Sequence, residues 1–172
     1  MQELTWIRIR TLTWLLLFPV TFLGLFPWWL NHRFAAPVAW EGRPLQWVGV
    51  WLVGNGIGLV AWCVNLFNVA GRGTPLPLDP PTRFVMSGPY RYVRNPMMLG
   101  MFLIVCGEAA VYRSSVVLLY SACLAILAAL FVRYIEEPQL ERRFGEAYLA
   151  YTRQVPRWIP RWISGALPWK RR

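Results

Sequence analysis

Four long apolar runs divide the chain, and its polar chemistry collects between them. The first extends from Leu12 to Leu30, is broken by Pro19, Gly24 and Pro27, and closes on Trp28 and Trp29, a pair suited to a membrane interface. The second, Trp47 to Val69, holds 23 residues without a charge, enough to cross a hydrocarbon core of about 30 Å. Its Gly54 and Gly58 stand in the small-xxx-small spacing that predicts close helix approach. Asn65 and Asn68 share a face of this helix, which serves either to line a polar cavity or to hydrogen-bond across a bundle. The third run, Met97 to Tyr112, spans 16 residues, about 24 Å of helix, which is short for a full crossing. Arg113, Ser114 and Ser115 form a tight polar turn, and the fourth run returns from Val116 to Val132, so the last two runs read as a helical hairpin. The pattern predicts an all-α integral membrane protein of about four transmembrane helices in one domain.

Two polar stretches differ from ordinary connections. The loop Gly71–Pro96 is punctuated by three glycines and six prolines, with Phe84, Tyr90 and Tyr92 interleaved, which predicts an ordered, irregular functional loop. Ser87-Gly88-Pro89-Tyr90 has tight-turn chemistry, and Asn95-Pro96 opens the third helix with proline at its first position. The loop therefore delivers Tyr90, Arg91, Arg94 and Asn95 to a helix mouth, where free backbone N–H groups suit an anionic ligand group.

The second stretch, Arg133 to Pro160, follows the fourth run without a break. From Gln139 onward Leu140, Phe144, Ala147, Tyr148, Tyr151 and Val155 recur with helical period, predicting one amphipathic interfacial helix that Pro156 ends. Trp158, Trp162 and Trp169 anchor the remaining tail at headgroup depth. Glu136 and Glu137 stand at the bilayer boundary, and spacing alone favours a structural ion pair with Arg133. Glu108 interrupts the third run; an intramembrane carboxylate marks either a functional site or an ion pair with Arg113.

Composition changes the picture in one respect. The 172 residues include 18 Lys+Arg against 8 Asp+Glu, a net charge of +10 that by itself points to a polyanionic partner. A hydrophobic fraction of 56%, 11 Trp and a mean hydropathy of +0.37 exclude a soluble nucleic-acid binder. Under a four-span plan, 15 of the 18 basic residues fall on one side, so the positive-inside rule places both termini in the cytoplasm. The expected setting is an inner (cytoplasmic) membrane, with membrane lipid as one partner and no nucleic acid. The first run lacks a small-residue cleavage pattern behind it, so no signal peptide is expected. Cys63, Cys106 and Cys123 lie inside apolar runs without a CxxC pair, which predicts buried, inert thiols and no metal site. His32 is read as a solvated loop residue.

SGPYRYVRNPMMLG, followed after a hydrophobic hairpin by EEPQLERRFGEAYLAYTRQVPRWIP, resembles the isoprenylcysteine carboxyl methyltransferase family and its bacterial phospholipid-methyltransferase-like relatives. The resemblance covers roughly residues 70 to 162; residues 1–70 resemble the family only in being two membrane spans. It implies a membrane enzyme that takes a methyl group from S-adenosylmethionine in a cytoplasm-facing pocket within residues 71–162. A lipophilic small molecule would enter that pocket from the bilayer. Carried over, Thr82, Arg83, Phe84 and Val85 would contribute backbone and apolar contacts and Tyr90 would pack on the cofactor. Asn95, Pro96, Met97 and Met98 would border its amino-acid end, and Glu136 corresponds to the family's cofactor-binding glutamate. That assignment suits a carboxylate near the bilayer edge, where a charge-assisted bond to an ammonium is strong.

The chain departs from the family at Asn95 and Thr82, which replace histidines, and at Met98, which replaces a frequent tyrosine. Val132 holds the place of the family's substrate-side arginine, with Arg133 one residue late, a rotation of about 100° on a helix. A carboxylate acceptor, as in an isoprenylcysteine, requires no general base. Arg133 is the candidate contact for such a carboxylate, displaced by one residue, whereas a lipid amine would make Glu108 or Glu137 the candidate base. Two other classes stay open: a membrane reductase using NADPH, and a non-enzymatic accessory protein that keeps the loop scaffold.

Overall fold

The computed structural model describes residues 17–35, 40–71 and 85–159, together with Ile9 and Thr13. Among these residues all regular structure is helical. A wide π-turn, Thr21–Leu25, leads without a break into α1, Phe26–Phe34, which carries Pro27 in its first turn. Helix α1 runs past Leu30, so His32 is helical and not in a loop; it is exposed and stacks on Trp28 with ring centroids 5.6 Å apart. Helix α2, Pro44–Leu66, continues into a second π-turn, Phe67–Gly71. Helix α3 covers Pro96–Tyr112 and α4 covers Ser115–Phe131. A third π-turn, Val132–Glu136, carries α4 directly into α5, Glu137–Phe144, and α6 follows over Glu146–Gln154. The single amphipathic helix expected from Gln139 onward is therefore two: Gly145 takes φ +53, a conformation open to glycine, and bends the chain between them.

Two helices, Pro44–Val69 and Ser115–Phe144, are long and apolar enough to cross a membrane. Helix α3 is shorter, 17 residues and about 25 Å of rise. Its turn to α4 is as tight as expected: Arg113 adopts a left-handed conformation, φ 52, and Ser114 Oγ accepts the Val117 N–H at 3.4 Å. The Glu108–Arg113 pair does not form. Arg113 Nη1 instead donates to Glu41 Oε2 at 3.2 Å, and Glu108 Oε2 is buried with no partner among the described residues.

The most extensive interface joins α2 and α3, which pack antiparallel. Its glycines are not the predicted ones. Gly49 and Gly56 of α2 meet Gly107 and Gly100 of α3, so close that a Cβ on Gly49 or Gly56 would stand 2.6 Å from the opposing carbonyl oxygen. Gly54 and Gly58, by contrast, face open space. Gly49, Gly56 and Cys63 repeat at seven-residue intervals and all three are buried, so the seam follows a heptad stripe. At one end of the seam the fully buried Gln46 accepts the N–H groups of Glu41 and Arg43 at 3.1 and 3.2 Å and donates to Val111 O at 3.3 Å. This one amide fixes the start of α2 against the last turn of α3. The cysteines differ from the expectation of uniform burial: Cys63 is buried, Cys106 half-buried with its thiol on Ser121 Oγ at 3.7 Å, and Cys123 exposed.

Overpacking a seam this close costs about 1–3 kcal/mol. Gly56→Val is expected to lower the thermal midpoint of the detergent-solubilised chain, whereas Gly54→Ala and Gly58→Ala should be neutral or stabilising by up to about 1 kcal/mol, the helix-propensity gain. Equal effects at the two sets of positions would place the helix contact elsewhere.

Candidate functional site

The site forms where the loop before α3, the end of α4 and the stretch after α6 meet. Gly88 opens the loop's one regular element, the 3-10 turn Gly88–Arg91, with φ +58. Trp62 and Leu66 of α2 lie where its side chain would be, Leu66 Cδ1 only 2.8 Å from a Cβ. The turn inserts Tyr90 into the bundle, against Cys63, Val85, Leu59, Leu66 and Met97, with the Phe67 ring edge-on at 5.5 Å. The Tyr90 ring and the Cys63 thiol share one buried cluster. Val93, Asn95 and Pro96 are buried in turn, bringing the chain to α3.

The π-turn Val132–Glu136 decides which way the side chains after α4 point. Its closing hydrogen bond runs from Glu137 N–H to Val132 O, five residues back, so the turn holds one residue more than an α-helical turn. Val132 faces the interior and is fully buried, while Arg133 is exposed with its guanidinium over the Tyr134 ring, 5.5 Å from the centroid. Among the described residues no ion pair joins Arg133 to Glu136 or Glu137, so the expected i+3, i+4 pairing is absent.

Glu137 has other partners. Its Oε1 accepts Arg94 Nη1 at 2.8 Å and Arg157 Nε at 2.9 Å, and its Oε2 accepts Arg157 Nη2 at 2.7 Å. The fork to Arg157 is bidentate, and Glu137 and Arg94 keep only 16% and 15% of their side-chain surface in solvent. The Glu137 carboxylate holds the Arg157 guanidinium above its ordinary range. Glu136, the residue before it, is different: its Oε2 is buried without a hydrogen-bond partner among the described residues, as are Arg91 Nε and Arg94 Nε of the loop before α3. Glu136 lies within electrostatic reach of Tyr90 and Tyr148. One carboxylate of the pair is saturated and the other is available.

The chain after α6 closes this region. Arg94 N–H donates to Pro156 O at 2.9 Å, Asn95 Nδ2 to Arg157 O at 3.1 Å, and Tyr151 OH to Tyr90 O at 2.8 Å. Tyr148, Tyr151 and Val155 form a buried cluster with Met86, Leu140 and Phe144, and Trp158 packs on Phe102 of α3 with centroids 6.0 Å apart. Burial, with the Glu137 charge adding to it, pushes the Tyr148 hydroxyl up to about 12, and burial moves Tyr151 and Tyr90 well above the usual tyrosine range.

Of the residues singled out from sequence, Tyr90, Asn95, Pro96, Met97, Glu136 and Glu137 come together here, with Val85 beneath and Met98 half-buried beside them. Thr82, Arg83, Phe84, Trp162 and Trp169 lie outside the described residues. Glu108 is 12 residues from Pro96 along α3, about 18 Å away. Sequence reasoning missed the joint role of Arg94 and Arg157 on Glu137. The partners are 43 and 20 residues from it in the chain, beyond the reach of helical periodicity.

A family model described as phospholipid methyltransferase matches residues 45–147. The chain belongs to this family. It is a branch of the isoprenylcysteine carboxyl methyltransferase-like group, so the resemblance drawn from the loop and the Glu136-Glu137 pair holds. No curated protein and no solved structure matches the chain. The phospholipid methyltransferase match takes in α2 to α5 and the loop, and it ends before Tyr148, so the residues that tie down Tyr90, Arg94 and Asn95 lie beyond it.

Two outcomes follow from the buried tyrosines. Tyr151→Phe strands the Tyr90 carbonyl and is expected to cost about 1–3 kcal/mol in thermal or denaturant unfolding. A hydroxyl whose pKa is raised by folding contributes stability that is intact below its unfolded value of 10.0 and is lost as pH rises toward about 12. Stability of the wild-type chain should therefore fall across that window, and less steeply in Tyr148→Phe; identical alkaline limbs would contradict the burial of Tyr148.

Proposed function

We propose that the chain is an integral membrane methyltransferase that uses S-adenosylmethionine to methylate a lipophilic molecule resident in the bilayer. The observation that carries this reading is the buried, unpartnered Glu136 Oε2 beside a Glu137 that is fully engaged, in a chain of a methyltransferase family. A buried carboxylate without a partner is costly, and a cationic ligand group is the chemistry that relieves it. The Arg91 and Arg94 Nε atoms of the loop, equally unpartnered among the described residues, suit a carboxylate on the same ligand. Together they fit the ammonium and carboxylate of the cofactor's amino-acid end, with Glu136 holding the first and the loop arginines the second.

When bound, the cofactor supplies an electrophilic methyl group on a sulfonium sulfur. What the chain's own residues do is hold, orient and exclude water. Tyr90, Val85, Met97 and Phe67 form an apolar floor, and the edge of α4 and its π-turn leaves the site beside the exposed, lipid-compatible face carrying Tyr134 and Ile135. Positioning of this kind turns a two-body step into an effectively one-body one and keeps an anionic nucleophile dry. Among the described residues neither Glu137, with guanidinium groups on both oxygens, nor Glu108, about 18 Å along α3 from Pro96, is placed to accept a proton from the acceptor. An acceptor that arrives as a carboxylate or as a neutral amine requires neither. The four-span plan with both termini in the cytoplasm is part of the same reading and rests on the distribution of 15 of 18 basic residues to one side.

Incubation of the purified chain with methyl-labelled S-adenosylmethionine and a total membrane lipid extract is expected to label a lipid-soluble product. No transfer to any lipid fraction, with cofactor bound, would contradict the acceptor class. Glu136→Gln should weaken cofactor binding by about 1–3 kcal/mol in calorimetric titration with the helical spectrum unchanged; loss of folding in its place would make Glu136 a structural residue.

A further inference from the structure

Three ties from one short stretch converge on the loop that carries Tyr90, Arg94 and Asn95. Tyr151 OH holds the Tyr90 carbonyl, Pro156 O receives the Arg94 N–H, and Arg157 O receives the Asn95 amide. The same Arg157 grips Glu137 with two bonds, and Glu137 adjoins Glu136 on the π-turn. The loop has little of its own to hold it in place. Between Val85 and Asn95 its only regular element is one 3-10 turn of four residues, and Asn95 caps α3 through no side-chain bond. Its spacing from Glu136 is therefore set by other segments, with Tyr90 and Gly88 seated on the bundle and Tyr90, Arg94 and Asn95 tied from above by residues beyond the part of the chain that the family model matches.

We infer that Glu137 and Arg157 are positioning residues of the methyl-transfer site, a latch through which residues 151–157 fix Arg94 and Asn95 opposite Glu136. This rests on the methyltransferase reading given above. Glu137 is then neither a base nor a ligand, because both oxygens are occupied by guanidinium groups. Arg94 links the two sides: its Nη1 is bound to Glu137 while its Nε is buried with no hydrogen-bond partner among the described residues. The planar fork of Arg157 matters as well as its charge, since it fixes the carboxylate plane in a way that a lysine ammonium reproduces only in part.

The test uses the full-length chain in lipid nanodiscs, with S-adenosylmethionine binding by calorimetry and deuterium exchange of residues 85–95 read on the same samples. Arg157→Ala and Glu137→Gln should each weaken binding at least tenfold with the helical spectrum unchanged. The double variant should be no weaker than the poorer single one, and Arg157→Lys should recover part of the loss. In Arg157→Ala, amide exchange should rise at residues 88–95 and stay unchanged along the α2–α3 seam. Singles that bind as wild type, losses that multiply in the double variant, or unchanged exchange at 88–95 would each overturn the latch. A wild-type chain that binds no S-adenosylmethionine would instead overturn the methyltransferase reading, and the exchange result would then decide the latch by itself.

Discussion

Two adjacent carboxylates at the end of a membrane-length helix are the constraint on which the rest of the site depends. Side by side, Glu136 and Glu137 repel each other, and burial makes each charge expensive. The chain resolves this unequally. Glu137 is neutralised by Arg94 from the loop and Arg157 from the C-terminal stretch, which draws two segments far apart in sequence onto the end of α4. Glu136 receives no such partner among the described residues. One carboxylate builds the site, and the other keeps a buried oxygen unpartnered among the described residues.

The bundle beneath supplies a closely packed floor. The α2–α3 seam brings backbone to backbone at Gly49–Gly107 and Gly56–Gly100, and its stripe continues to Cys63, which lies under Tyr90. Close packing at that depth matters because the loop above carries almost no regular structure. Its order comes from being pressed between Trp62 and Leu66 on one side and Tyr148, Tyr151 and Val155 on the other. The π-turn makes the last adjustment. By holding one extra residue it keeps Val132 inward and turns Arg133 out to Tyr134, so the arginine nearest in sequence to the glutamate pair is the one it does not use.

What periodicity governs was legible in the sequence: the apolar helices, the Arg113–Ser114 turn, the proline start of α3 and the unbroken run from α4 into the glutamate pair. The motif pair around Asn95 and Glu136 gave the family, which the match over residues 45–147 bears out. The glycine seam was misplaced because Gly54-x3-Gly58 has the familiar spacing, whereas the contact uses a seven-residue spacing that a single helix does not advertise. Gln46 went unnoticed because a polar residue at a helix start looks solvated until Val111 is known to face it. The Arg94–Glu137–Arg157 cluster is a tertiary fact: local spacing offered Arg133 as the partner, and only the fold shows that the π-turn removes it.

The central claim is that the site at Glu136 is built for S-adenosylmethionine. Titration of the purified wild-type chain with S-adenosylmethionine and, separately, with NADPH tests it most directly. The account predicts saturable, stoichiometric binding of S-adenosylmethionine and none of NADPH; binding of NADPH alone, or of neither, would contradict it.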